Sequence, residues 1–185
     1  MLNNKTIIRK EFLELLRNQN QKDRLNKSRV IQKKLFETPE FCAAQTVMFY
    51  SSFDGEVETF EMMTQAAQLK KKVVLPIVMR DQKKLIPTVI EDLAKLKTGS
   101  YGIQEPEHDA RALLDVEDLD LVIVPGVAFD KNNRRLGRGA GYYDRFLKDL
   151  PSDTPTFGLA FDFQVVDCLP YSQAHDIPVK RVITN

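Results

Sequence analysis

The sequence predicts an α/β fold: a mostly parallel open sheet flanked by helices, three-layered and Rossmann-like, with a helical N-terminus. Three observations predict it. Short apolar runs of strand composition recur along the chain (TVMFY, VVLPIVM, LDLVIV, FGLAF). Amphipathic segments of helical period separate them, which requires crossover connections and parallel pairing. At 185 residues and 43% hydrophobic side chains, a single domain spanning 1–185 can bury its own core without a disulfide or structural metal.

The elements follow in order. Ile8, Phe12, Leu15 and Leu16 recur at i, i+4, i+7 and i+8, one apolar stripe of a first helix with Asn3 and Asn4 as candidate caps. A second helix runs from about Lys22 to Phe36 and stops before Pro39. Thr46 to Tyr50 reads as a strand, followed by a polar turn from Ser51 to Gly55. Val57, Phe60, Met63 and Ala67 give helical spacing up to Lys70. Val73 to Met79 is a strand in which Pro76 predicts an edge or a bulge, and Leu85 to Ile90 is another short apolar run. The charged stretch Glu105 to Asp120 reads as a solvated loop and helix. Leu119 to Val124 is the clearest buried strand and ends at Pro125-Gly126. Tyr143, Phe146, Leu147 and Leu150 form a helix face, and Phe157 to Phe161 makes a late strand.

Composition excludes several classes. A net charge of +1 leaves no global field for nucleic acid or an anionic membrane, so an anionic substrate must be met locally. The N-terminus lacks the continuous apolar region of a signal peptide, and no apolar run approaches a membrane span. A soluble, cytoplasmic monomer is expected. Cys42 and Cys168, far apart and without a partner motif, read as reduced, buried thiols.

The segment Val124 to Phe146, VPGVAFDKNNRRLGRGAGYYDRF, begins where the clearest strand ends and finishes inside a helix. Ligands of open α/β sheets sit at that end of the strands. Gly137, Gly139 and Gly141 let the backbone approach a ligand and present its N–H groups. Lys131, Arg134, Arg135 and Arg138 place four cations within eight positions, and a helix N-terminus near Gly141 adds its partial positive charge. The pattern is neither a Walker A loop nor the dinucleotide fingerprint. Phosphate binding and a tight turn with solvated arginines are both compatible with it. Asp144 either complements the helix dipole or holds a hard cation.

The run RLGRGAGYYDRFL, preceded by PGVAFD, closely resembles the signature of the 5-formyltetrahydrofolate cyclo-ligase family. Three further stretches match in the same order: KTIIR from Lys5 to Arg9, DGEVET from Asp54 to Thr59, and the closing GLAFDFQ and LP…HDIPV between Gly158 and Val179. Asn133 stands where the family commonly has glycine; asparagine is the best non-glycine occupant of a left-handed turn. Lys180 stands near where the family often has an acidic residue.

The resemblance implies an ATP- and Mg²⁺-dependent closure of 5-formyltetrahydrofolate to 5,10-methenyltetrahydrofolate, through a phosphorylated formyl intermediate. It implies that Lys5 and Arg9, at i, i+4 on one helical face, contact ATP. Arg135, Leu136, Gly137, Arg138, Gly139, Ala140, Gly141 and Tyr142 would wrap the triphosphate, with Arg138 and Arg135 as the rate-critical cations. Asp144 and Asp176 would hold Mg²⁺, and Glu56, with Glu58 as its alternative, would take the pterin. Tyr142, Tyr143, Phe161 and Gln164 are further folate neighbours to consider, although aromatics at helical spacing are more often core. His175, beside Asp176, is the one histidine placed to act as a base, but the family chemistry does not require it. Two other functions fit the loop: a sugar-phosphate isomerase, which needs no ATP, and a non-catalytic nucleotide- or nucleic-acid-binding module, which would show a steep salt dependence.

Overall fold

The computed structural model describes residues 4–98, 103–106, 112–170 and 176–185. Helices α1 (Asn4–Arg17), α2 (Gln21–Phe36) and α3 (Pro39–Ala43) precede strand β1 (Thr46–Met48). Helix α4 (Phe60–Gln68) leads to β2 (Lys72–Met79), which turns back into β3 (Lys84–Val89). A small ribbon, β4 (Lys97–Thr98) with β5 (Gln104–Glu105), precedes β6 (Leu121–Val124) and the hairpin β7 (Ala128–Asp130) and β8 (Arg135–Leu136). Helix α5 (Tyr142–Asp149), β9 (Thr156–Ala160), β10 (Val165–Val166) and β11 (Arg181–Thr184) complete the chain. No helix among the described residues is long and apolar enough to cross a membrane.

The main sheet runs β11-β9-β6-β1-β2-β3, parallel throughout except for β3 at one edge. Chain order along it reverses between β1 and β6. That reversal opens a crevice at the carboxyl ends of those two strands, where neighbouring connections leave in opposite directions. Alternate residues face opposite layers, as the pleat dictates. Val47, Val73, Ile123, Leu159 and Ile183 pack with Leu16, Ile31, Leu35, Met62 and Met63 from α1, α2 and α4. Met48, Val74, Val122, Val124 and Ala160 pack with Phe146 and Leu147 of α5. The expected three layers are therefore present.

Pro76 shows how the sheet manages a missing donor. It lies directly opposite Pro87 of β3, so neither can donate to the other and the two must occupy a non-hydrogen-bonded position. The N–H vector of such a residue points to the far side of the strand. On that side β1 has already ended, its last partner on β2 being Val74. Pro76 is thus at an edge, within a strand that is central three residues earlier.

Several sequence expectations are corrected. Leu15 is half exposed, while Ile8 and Phe12 pack against Ala128, Leu136 and Leu169, so α1 docks partly on the β7–β8 hairpin. In α4 the buried face is Met62, Met63 and Ala66, with Phe60 and Ala67 turned outward. Val57 is buried but precedes the helix, and counting from it put the helical phase out. Asn3 lies outside the described residues, and Asn4 is itself the first residue of α1. Both cysteines are free but exposed, against the expected burial: Cys42 lies within the short α3, and Cys168 follows the β10 segment at the surface. β4, β5, β7, β8, β10, β11 and the short α3 have no counterpart among the sequence expectations, because elements of two to five residues without a longer apolar run carry too little pattern to detect.

The turn between β7 and β8 is organised by one buried carboxylate. Asp130 accepts from the backbone N–H groups of Asn132 (2.9 Å), Arg134 (3.1 Å) and Leu169 (3.0 Å), and from Arg134 Nε (2.7 Å). Asn133 takes the left-handed conformation expected of it, at φ 59°. Burial alone would raise the Asp130 pKa, but these donors outweigh it and hold the group below the usual aspartate range. Its stabilisation is therefore full above the unfolded value of ~3.9 and lost as pH falls through the lower folded value. Asp130→Asn should destabilise by about 3 kcal/mol at neutral pH, as when a buried ion pair loses one partner. Urea midpoints measured from pH 7 downward should show the gap to the wild type closing below ~3.9.

Candidate active site

A cleft of about 1050 Å³ opens at the carboxyl ends of β1 and β6. Tyr50, Ser51 and Phe53, just after β1, and Pro125 to Val127, just after β6, form its floor. The 137–141 loop and the start of α5 form one wall, Leu75, Pro76, Val78 and Leu85 of β2 and β3 another, and Lys5 and Arg9 of α1 a third. Single-ligand sites commonly enclose about 300–1000 Å³, so this volume suits two substrates side by side.

The loop wall is held from several directions. Leu136 is buried against α1, and Arg9 Nε donates to the Gly137 carbonyl at 2.8 Å. The Arg135 side chain, only 4% exposed, donates Nη2 to Asp144 at 2.7 Å and Nη1 to the Pro125 carbonyl at 3.4 Å. A Cβ on residue 137 would meet Arg135 Nη1 at 2.6 Å, so glycine there leaves the guanidinium its place. Gly141 is the N-cap residue of α5 at φ 68°, a left-handed conformation that lets the chain enter the helix sharply. The unpaired N–H groups of the first turn, at Tyr142 to Asp144, then border the cleft. Arg145 Nη2 donates to the Ala140 carbonyl at 2.9 Å and its Nε to the Lys83 carbonyl at 2.8 Å, joining the loop to the β2–β3 turn.

Arg138 crosses the cleft. Its Nε donates to Glu56 Oε1 at 3.1 Å, its Nη1 to Asp54 Oδ2 at 3.0 Å, and its guanidinium lies 3.9 Å from the centre of the Phe53 ring. Glu56 is 6% exposed, and burial raises its pKa, opposed by the charge of Arg138 and the Phe53 N–H. Burial, reinforced by the charge of Glu56, also keeps the Tyr143 phenol protonated far above its ordinary range. Among the described residues, the buried side-chain polar atoms without a hydrogen-bond partner include Arg135 Nε, Arg138 Nη2 and Tyr143 Oη. All three belong to residues lining this cleft. Orphaned polar atoms are rare in proteins, and their concentration here marks where a polar ligand fits.

The structure brings together Lys5, Arg9, Glu56, Arg135 to Tyr142, Asp144 and Asp176. It leaves out Glu58, whose carboxylate accepts from Ser52 Oγ (2.8 Å) and the Phe60 N–H (3.2 Å) and pairs with Arg24, serving the start of α4. Lys131 and Arg134 do not line the cleft; they pair with Asp167 and Asp130, so only two of the four clustered cations face it. Phe161 is core, and Gln164 is spent on the Gly126 and Val127 carbonyls and the Phe161 N–H. Neither lines the cleft, whereas Tyr142 and Tyr143 do. His108 and His175 lie outside the described residues. Phe53, Asp54 and Arg17 were missed. Asp54-Gly55 reads as a turn in sequence, and nothing local indicates that Asp54 reaches across to two arginines.

Asp144 and Asp176 offer oxygen donors of the kind a hard divalent cation takes. Both line the cleft beside the loop, and each is partnered by a cation, Arg135 at 2.7 Å and Lys5 at 2.6 Å. No cluster of three or more acidic, histidine or cysteine ligands occurs among the described residues. A pair of carboxylates is the donor set suited to Mg²⁺, which completes its shell with water and phosphate.

Removing Arg138 should raise the Glu56 pKa further, since burial would then be opposed by less positive charge. Carboxyl ¹³C titration of Arg138→Ala should show this directly. A raised folded value makes the ionised carboxyl a growing stability cost as pH rises through the window above the unfolded ~4.3. The variant should therefore lose stability most at the alkaline side of that window, and a Glu56 value that fell would contradict the pairing.

Comparison with known proteins agrees with this architecture. The chain matches the 5-formyltetrahydrofolate cyclo-ligase family over residues 1–185. It is 36% identical over 148 residues to the 5-formyltetrahydrofolate cyclo-ligase of Escherichia coli K12, covering 79% of this chain and 81% of that one. It is 30% identical over 187 residues to the mouse 5-formyltetrahydrofolate cyclo-ligase, covering 95% and 91%. The NMR structure of Aquifex aeolicus 5,10-methenyltetrahydrofolate synthetase superposes with a TM-score of 0.85 at 33% identity, over 97% of this chain and 89% of that one. With a match from end to end and the expected loop at the switch point of the expected sheet, this chain belongs to the 5-formyltetrahydrofolate cyclo-ligase family.

Proposed function

We propose that this enzyme converts 5-formyltetrahydrofolate to 5,10-methenyltetrahydrofolate using ATP and Mg²⁺, releasing ADP and phosphate. The observation that carries the reading is that one cleft is lined by two chemically opposite sets of groups. One set offers the glycine-loop amides, Arg135, Arg138 and the α5 N-terminus to a polyanion. The other set offers the buried Glu56 carboxylate, able to accept two N–H bonds from a pterin edge, and the apolar side chains of Leu75, Pro76 and Leu85.

An N-formyl group is a poor electrophile because its oxygen leaves badly. In the proposed reaction the formyl oxygen attacks the γ-phosphorus of ATP and ADP departs, giving a phosphorylated iminium. N10 then attacks the former formyl carbon, the phosphate leaves with the oxygen, and N10 gives up its proton, which forms the methenyl bridge. No protein nucleophile is required. The protein aligns two substrates and offsets charge developing on the transferred phosphoryl group. Lys5 and Arg9 approach from α1, Arg135 and Arg138 from the loop, and Tyr142 lines the same cleft. Asp144 and Asp176 would hold Mg²⁺, which neutralises phosphate charge.

Mixing the protein with 5-formyltetrahydrofolate, ATP and Mg²⁺ should raise methenyltetrahydrofolate absorbance, and omitting ATP or metal should abolish the rise. No rise from folded protein would reject the reading. Arg138→Ala should lower kcat by about 10²–10³-fold, as for loss of one aligned electrostatic donor, measured at a temperature where the variant is still folded. Full turnover in that variant would remove Arg138 from the mechanism.

A further inference from the structure

Arg138 and Glu56 hold one another in this structure, at 3.1 Å, yet the proposed reaction asks each for a different partner. Glu56 goes to the pterin and Arg138 to the phosphates. One more carboxylate touches Arg138: Asp54, at 3.0 Å from Nη1. Asp54 is itself gripped by Arg17, with Nε to Oδ1 at 2.8 Å and Nη2 to Oδ2 at 2.9 Å. The Arg17 contact and, after burial opposes it, the Arg138 contact hold Asp54 ionised below the usual aspartate range. Beneath the same guanidinium lies the Phe53 ring at 3.9 Å.

We propose that Asp54 is a positioning residue that retains Arg138 when folate takes Glu56. This rests on the function proposed above. On folate binding, Nε loses Glu56, but Nη1 stays on Asp54 and the guanidinium stays on the Phe53 face. The arginine then turns about the Asp54 contact and offers Nε and Nη2 to the γ-phosphate. Nη2 is already buried without a protein partner, so one donor awaits an acceptor before any rearrangement. Arg17, on the rim, stops Asp54 from following Arg138 inward, because its two bonds fix the carboxylate plane. Folate therefore frees the cation that the nucleotide needs, and Asp54 keeps that cation from escaping to solvent.

The test separates positioning from mere structure. Asp54→Asn should lower kcat with both substrates saturating by about tenfold or more, the size of losing one hydrogen bond between charged groups. ADP affinity measured by calorimetry without folate should not weaken, because Glu56 still holds Arg138 in that state. In an Arg138→Ala background, Asp54→Asn should add nothing. Effects of the two substitutions that multiply, or ADP binding that weakens as much as turnover falls, would overturn the proposal. If Asp54→Asn melts below the assay temperature, Phe53→Leu carries the same comparison, since it withdraws the other support of the same guanidinium. A wild-type protein that turns over while these patterns fail rejects the role of Asp54 alone. A wild-type protein without turnover rejects the underlying function, and this role with it.

Discussion

The position of everything in the cleft depends on a carboxylate that never reaches it. Asp130 gathers four donors, three from its own turn and one from Leu169, on a side chain fully removed from solvent. Those bonds reinforce the fold-back that the backbone ladder between β7 and β8 begins, and so help fix the point from which the glycine loop starts. The Leu169 bond matters equally. It ties the chain leading toward Asp176 to the hairpin leading toward Asp144, so the two metal-ligand candidates arrive at one cleft from distant parts of the sequence. A buried carboxylate is costly unless every lone pair is used. That cost makes the arrangement specific: few backbone geometries satisfy it.

The second constraint is charge balance within the cleft. Lys5 pairs with Asp176, Arg135 with Asp144, and Arg138 with Asp54 and Glu56. Except for Arg135 with Asp144, the pairs join segments far apart in sequence, and except for Arg138 with Asp54, each joins a group proposed for the phosphates to a group proposed for metal or pterin. The unliganded site is thereby stable without being a strong bare field, which fits a chain of net charge +1. Ligand binding in such a site is partner exchange. Two substrates that each relieve the other's obstacle bind with positive linkage, and the linkage is reciprocal by thermodynamic necessity.

Sheet topology explains why these pairs form where they do. The reversal of chain order between β1 and β6 sends the segment after β1, with Phe53, Asp54 and Glu56, toward the segment after β6, with Pro125 and Gly126. The glycine loop rises beside the latter, and α1 lies across it through Ile8, Phe12 and Arg9. The upper half of β2 and β3, freed of β1 beyond Val74, supplies the remaining wall. Pro76 is tolerated there because β1 has ended on its far side, and Pro87 faces a short segment whose Leu114 N–H donates to the Pro87 carbonyl at 2.9 Å, so no proline donor is called for.

By itself the sequence determined the fold class, five of the six strands of the main sheet to within two residues, and the glycine loop from Gly137 to Gly141, because period, strand composition and glycine spacing are local properties. It also determined the left-handed turn at Asn133, since few other residues adopt that conformation without glycine's freedom. Only the tertiary structure decided which of the clustered cations face the cleft, sending Lys131 and Arg134 elsewhere through pairs with Asp167 and Asp130. It alone gave Glu58 to the start of α4 and Glu56 to the cleft, although only Val57 separates them and their chemistry is the same. It alone brought Asp54 and Phe53 to Arg138, more than eighty positions away. The physical reason is common to all three: an ion pair is decided by distance and burial, and both are set by sheet order and core packing, which no stretch of neighbouring residues encodes.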